Sequence, residues 1–156
     1  MDIMAEKILQ MLNWKNDDAT KEKGRQLAAQ LTDLSCLMQP INDKSTWEDC
    51  AMVLAEKSDL VLVPYLDELL EWLQDLNWPG TFIIIDRLKI FSADLLLEPF
   101  LQAVSKTANR AEDDNEWLDN LSILLENKAM AKQLNKQIYS RLKARYENFW
   151  GKKLEE

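Results

Sequence analysis

The chain has 156 residues, enough for one compact domain or one short helical array that buries a core of its own. Three glycines and four prolines argue against an all-β fold, and no apolar run approaches the roughly 18 residues of a membrane span. The net charge of −8 is uneven: residues 1–127 carry 11 Lys and Arg against 24 Asp and Glu, a balance of −13, whereas residues 128–156 carry 8 against 3, a balance of +5. An acidic body disfavours phosphate contacts with nucleic acid and favours basic partners, although solubility alone accounts for such charge equally well.

In chain order, Met4, Ile8, Met11 and Leu12 fall on one side of a short amphipathic helix. The acids within Met1 to Trp14 make this segment unlike a signal peptide. Asn16-Asp17-Asp18 offers caps for a second helix, whose stripe is Gly24, Leu27, Ala28, Leu31 and Leu34; Gly24 on that stripe predicts a close helix–helix approach. Ser35 to Lys44 reads as a connection through Pro40, with a helical turn near Leu37. Ser45-Thr46-Trp47-Glu48 matches a capping box, and the helix it opens carries Trp47, Cys50, Ala51 and Leu54 on one face.

Leu62 to Asp75 predicts a helix with Leu66, Leu69, Leu70, Leu73 and Leu76 inside. Asp67, Glu68, Glu71 and Asp75 lie on its polar side, and Trp72 stands at the border. Asn77-Trp78-Pro79-Gly80 then precedes the apolar run Thr81 to Phe91. Asn77 is the expected cap and Pro79 the expected first-turn residue. Composition also permits a buried strand over Thr81 to Ile85, but segment length and helical neighbours favour a helix. Its apolar residues cover nearly the whole circumference, which predicts a central helix enclosed on most sides. Ser92 to Ala108 is the next helix, Lys106 to Asp114 a loop, and Trp117 to Leu125 another helix. The last, Lys128 to Phe149, aligns Met130, Leu134, Ile138, Leu142 and Tyr146, ahead of an expected frayed end from Gly151.

Pro64-Tyr65-Leu66 and Pro99-Phe100-Leu101 stand 35 residues apart, and Trp47 and Trp78 stand 31 apart. Asp75-x-x-Trp78 recurs 39 residues on as Asp114-x-x-Trp117. These intervals bracket those of helix-pair repeats, with an ordinary helical bundle as the competing reading. The stretch Leu70-Glu71-Trp72-Leu73-Gln74-Asp75-Leu76-Asn77-Trp78-Pro79-Gly80, together with Trp-x-x-Cys-Ala at Trp47 to Ala51 and Leu12-Asn13-Trp14, resembles a bacterial family of small HEAT-like proteins of unassigned function. The resemblance spans most of residues 8–91. It implies an all-α fold of about seven to eight helices, with antiparallel HEAT-like pairs stacked as a short right-handed α-solenoid. The expected division of this single domain is N-terminal capping helices over 1–40, two HEAT-like pairs over 41–110, a C-terminal pair over 111–150 and a frayed tail over 151–156. The resemblance also implies an association with polymorphic-toxin and immunity genes, near which relatives of this kind are sometimes seen.

The absence of histidine removes His-based acid–base catalysis, Ser-His-Asp and Cys-His nucleophiles and the usual zinc sites. The three glycines stand alone, so no phosphate loop exists. Glu112-Asp113-Asp114 lacks the calcium-loop pattern. Cys36 and Cys50 read as two reduced thiols of a cytoplasmic protein, with a single disulfide as the alternative, and Cys50 as a packing residue. No cofactor, metal, nucleic acid or membrane partner is expected. The expected function is non-catalytic binding of a basic protein, most concretely as an immunity protein against a toxin domain. A cytoplasmic adaptor or regulatory scaffold is the alternative, and an uncharacterised enzyme the third reading. The expected partner surface is Asp67, Glu68, Glu71, Trp72 and Asp75, with Trp72 as its anchor or, alternatively, a core-edge packing residue. Asn77, Trp78, Pro79 and Gly80 form the expected structural motif.

Overall fold

Short polar side chains open many of the helices. In the computed structural model, which describes residues 2–39, 43–108 and 115–154, Asp2 caps α1 (Ile3–Met11) and Asp17 caps α2 (Asp18–Ala28), each carboxylate accepting a backbone N–H at 2.8 Å. Ser58, Asn115, Asn127 and Asn135 likewise cap α4 (Asp59–Leu62), α8 (Glu116–Leu121), α9 (Lys128–Ala131) and α10 (Lys136–Trp150). Each such bond satisfies a donor that helix geometry leaves without a partner. Between these lie α3 (Trp47–Ala55), α5 (Leu66–Glu71), α6 (Thr81–Lys89) and α7 (Ala93–Thr107). Among the described residues there is no strand.

Gly24 brings α1 and α2 together. A Cβ there would stand 2.9 Å from Met11 Cβ, so only glycine admits this approach. Asn16 closes the end of α1 by donating from Nδ2 to the carbonyls of Gln10 and Met11. Next, α2 packs on α3, where Arg25 and Asp49 pair at 2.7 Å. Farther along the chain, α3 lies beside α6, α5 beside α7, α7 beside α9, and α8 with its following 3-10 turn against α10. One continuous core joins these contacts, from Ile8 through Leu70 and Phe100 to Tyr146.

Several expectations need correction. The Ser45–Glu48 capping box does not form. Asp43 accepts from Ser45 N–H and its hydroxyl, a 3-10 turn spans Lys44–Thr46, and Thr46 precedes α3 without a side-chain cap. A nearer carboxylate on the incoming chain has taken the serine. The expected helix Leu62–Asp75 starts earlier, at Asp59 behind the Ser58 cap, and tightens into 3-10 turns at Val63–Tyr65 and Trp72–Gln74. Lys128–Phe149 divides at Asn135, whose side chain caps α10 afresh. Pro99 sits inside α7, whereas Pro64 lies in the 3-10 turn before α5, so the two Pro-aromatic-Leu segments do not occupy equivalent helix positions. The expected loop falls largely on residues 109–114, outside the described residues, as does Glu112-Asp113-Asp114.

The apolar segment after Gly80 is a helix, but it is not enclosed. Ile84, Ile85 and Leu88 are buried, while Phe82 is 54% exposed and Ile90, just past the helix end, 76% exposed. Its one-sided burial follows from its neighbours, α3 and the 3-10 turns Trp72–Gln74 and Ser122–Glu126, which leave the Phe82 side open. After α10, Gly151 adopts φ +67, residues 151–153 are exposed without helical structure, and Leu154 packs against the core.

Candidate protein-binding surface

The expected partner surface begins on α5, where Leu66, Leu69 and Leu70 fix the buried side. Asp67 and Glu68 consequently face solvent, and Glu71 is half-buried. Glu71 Oε1 stands 3.7 Å from Lys106 Nζ on the neighbouring α7, a long contact between partly exposed groups and therefore a weak tether. Partial burial raises the Glu68 carboxyl above its ordinary pKa, and the adjacent charges of Glu71 and Asp67 raise it further. The three carboxylates thus form a crowded negative edge.

Asp75 does not extend that edge. The chain leaves helical geometry after Gln74, and Asp75 Oδ1 accepts the backbone N–H of Asn77 at 2.8 Å, shaping the following turn. Trp72 is a clearer correction. Its side chain is 0% exposed, so it is no surface anchor and follows the alternative packing role, deeper than a core edge. A border position on one helix becomes interior when a second element covers it, and here α3 does so. The Trp47 and Trp72 rings meet edge-on at 6.3 Å, while Trp72 Nε1 donates to the Pro79 carbonyl at 3.0 Å.

The Asn77-Trp78-Pro79-Gly80 segment forms the other side of this contact. Trp78 meets Trp47 edge-on at 5.6 Å. Gly80 adopts φ +85, and a Cβ there would come within 2.7 Å of Ala51 Cβ and 3.0 Å of the Trp47 carbonyl. Asn77 and Pro79 do not cap or open α6 as expected. Gly80 occupies the cap position, and α6 starts at Thr81. Thr81 Oγ1 lies 3.0 Å from the Asp75 carbonyl and 3.3 Å from that of Trp72, closing the turn. Two-sided packing displaced the simple helix-start pattern.

Other indole and amide donors recur at helix ends. Trp117 Nε1 donates to the Leu70 carbonyl, Asn120 Nδ2 to that of Leu73, and Asn127 Nδ2 to those of Leu88 and Phe91. Sequence periodicity marked Trp117 only as apolar and missed this polar function. The signal was the composition itself, because a buried tryptophan or asparagine must find hydrogen-bond partners.

Cys36 and Cys50 are both free thiols. Burial raises the Cys50 pKa to about 12, with Cys50 fully covered in the core. Such a thiol is a packing group, not a nucleophile. Among the described residues, no cluster of three or more Cys, Asp or Glu side chains is arranged to hold a metal ion, and no helix is long and apolar enough to cross a membrane.

No curated protein and no solved structure matches this chain. A family model described as a domain of unknown function, DUF5071, matches residues 42–149 and so includes the tryptophan junction, the acidic edge and most of α10. With more than half of its 156 residues matched, the chain belongs to the DUF5071 family.

Proposed function

We propose that this chain is a non-catalytic protein-binding module, built as a short right-handed stack of HEAT-like helix pairs, that neutralises a basic toxin domain by occlusion and charge complementarity. The pairing of α3 with α6 and of α5 with α7 supports the repeat reading, because corresponding members of successive pairs adjoin in such a stack. The binding reading rests on the crowded edge of Asp67, Glu68 and Glu71. A cationic partner would relieve the mutual repulsion that contributes to raising the Glu68 carboxyl. The corrected surface is smaller than expected, since Trp72 is internal and Asp75 serves a turn.

The test is genetic and then biochemical. Expression of a basic protein encoded beside this gene should arrest growth, and co-expression of this chain should restore it. Glu68→Lys with Glu71→Lys should abolish rescue and slow association of the purified pair, with circular dichroism unchanged. A harmless neighbouring product would favour the adaptor reading. Rescue that survives the double reversal would place the binding face elsewhere.

A further inference from the structure

The C-terminal segment returns along its own path and forms a cleft. After α9, the chain turns and restarts at the Asn135 cap of α10. At the far end Gly151, with φ +67, ends α10 in the left-handed conformation that suits a residue without a Cβ. Leu154 then packs on the core and carries Lys152 and Lys153 with it. The resulting cleft has a volume of about 1010 Å³.

Its rim is strongly cationic. Lys128, Lys132, Lys136, Lys152 and Lys153 line it, all five are exposed, and none takes part in an ion pair among the described residues. Among the described residues Glu126 is the one carboxylate in the lining, and it is already engaged: Lys89 Nζ lies 3.1 Å away, the Tyr146 hydroxyl donates to it at 2.6 Å, and the charge of Lys152 acts on it as well. The floor is apolar, formed by Leu125, Ala131, Leu134 and Leu154, with the ring of Tyr139 beside them.

We infer that this cleft binds an acidic peptide segment of a partner protein, its carboxylates meeting the lysine rim and an apolar side chain resting on the leucine floor. The inference uses none of the residues of the acidic edge and stands apart from the toxin reading. Five ammonium groups on three stretches of chain suit a ligand with several separated charges better than a single small ion. The volume and apolar floor exceed what an inorganic anion requires. The floor offers mainly aliphatic side chains, which suit an apolar side chain of a peptide better than the stacked bases of a nucleic acid. The cationic rim and the aliphatic floor together fit a carboxylate-bearing peptide that also carries an apolar side chain.

Fluorescence anisotropy with the whole chain and a fluorescein-labelled peptide of glutamate and leucine tests the assignment. Saturable binding should weaken as sodium chloride rises. The Lys132→Glu, Lys136→Glu double variant should weaken it at least about tenfold. A glutamate-only peptide should bind less tightly, because it leaves the floor uncovered. Reversal of the exposed Lys15 and Lys23 on the N-terminal half should leave affinity unchanged, and circular dichroism should show both double variants folded. Absence of saturable binding, or binding indifferent to Lys132 and Lys136, overturns the inference. Tighter capture by phosphatidylglycerol vesicles or a single-stranded oligonucleotide than by the peptide also overturns it, as does self-association that disappears in the Lys132, Lys136 variant.

Discussion

The tryptophan junction and the lysine cleft treat large side chains in opposite ways. At the junction, Trp47 and Trp72 are enclosed between α3 and the Pro79-Gly80 turn, and the Trp72 indole N–H is used internally. At the cleft, Tyr139 and Leu134 remain partly exposed beneath exposed ammonium groups. The difference is the number of covering elements. Two surfaces close over Trp72, whereas the short tail after Gly151 walls only one side of the cleft. An amphipathic border residue is therefore structural where the chain folds back over it and available for binding where it does not.

The strongest way to break the closed region is to charge α6. Ile84→Asp or Ile85→Asp should abolish the cooperative thermal transition, since each side chain is 1% exposed and offers no place for a carboxylate. Phe82→Asp on the open side of the same helix should retain that transition. Loss of cooperativity in the Phe82 variant as well would mean that α6 is enclosed after all.

The next largest effect belongs to the tryptophan contact. Trp72→Ala should destabilise by about 3–5 kcal/mol in chemical denaturation, the usual scale for emptying a large aromatic site. Gly80→Ala should cost about 1–3 kcal/mol, because a Cβ meets both the positive φ and the Ala51 contact. A Trp72→Ala variant with unchanged stability but weakened partner binding would restore Trp72 as a surface anchor.

Thiol chemistry sharpens the contrast between open and closed positions. Cys36 is half-buried and its thiol pKa is raised by burial and by the Asp33 charge, so it should react slowly with a disulfide reagent in the native protein, whereas Cys50 should react only on unfolding. Mass spectrometry of the labelled chain distinguishes them. Equal native labelling would mean that the core around Cys50 opens readily.

The smallest expected effect lies at the cleft wall. Burial and the hydrogen bond to Glu126 raise the Tyr146 pKa to about 12, above the ordinary value of 10.0. The folded state therefore keeps its proton where the unfolded chain loses it. This contribution to stability is complete below pH 10.0 and fades as pH rises through about 12. Tyr146→Phe should flatten the decline of melting temperature across that window. An unchanged slope would show that the Glu126 contact does not hold in solution.

Sequence by itself determined the helical class and much of the inventory of buried residues. Leu66, Leu69, Leu70 and Leu73 repeat with the helical period, and that period fixes which side they share. Gly24 and the cap Asp17 are equally local, because their effects depend on a single approach or on a neighbouring backbone N–H. Of the candidate surface, the same periodicity placed Asp67 and Glu68 outward. Tertiary structure alone decided the fate of residues at the borders. Trp72 became interior because α3 arrived from a second direction, and Phe82 became exposed because no element covered it. The lysine cleft was legible only as a basic C-terminal stretch. Its shape arises when Gly151 turns the tail back and Leu154 secures it, joining charges that are separated along the chain. Helical periodicity describes one face of one element, and enclosure is a property of several.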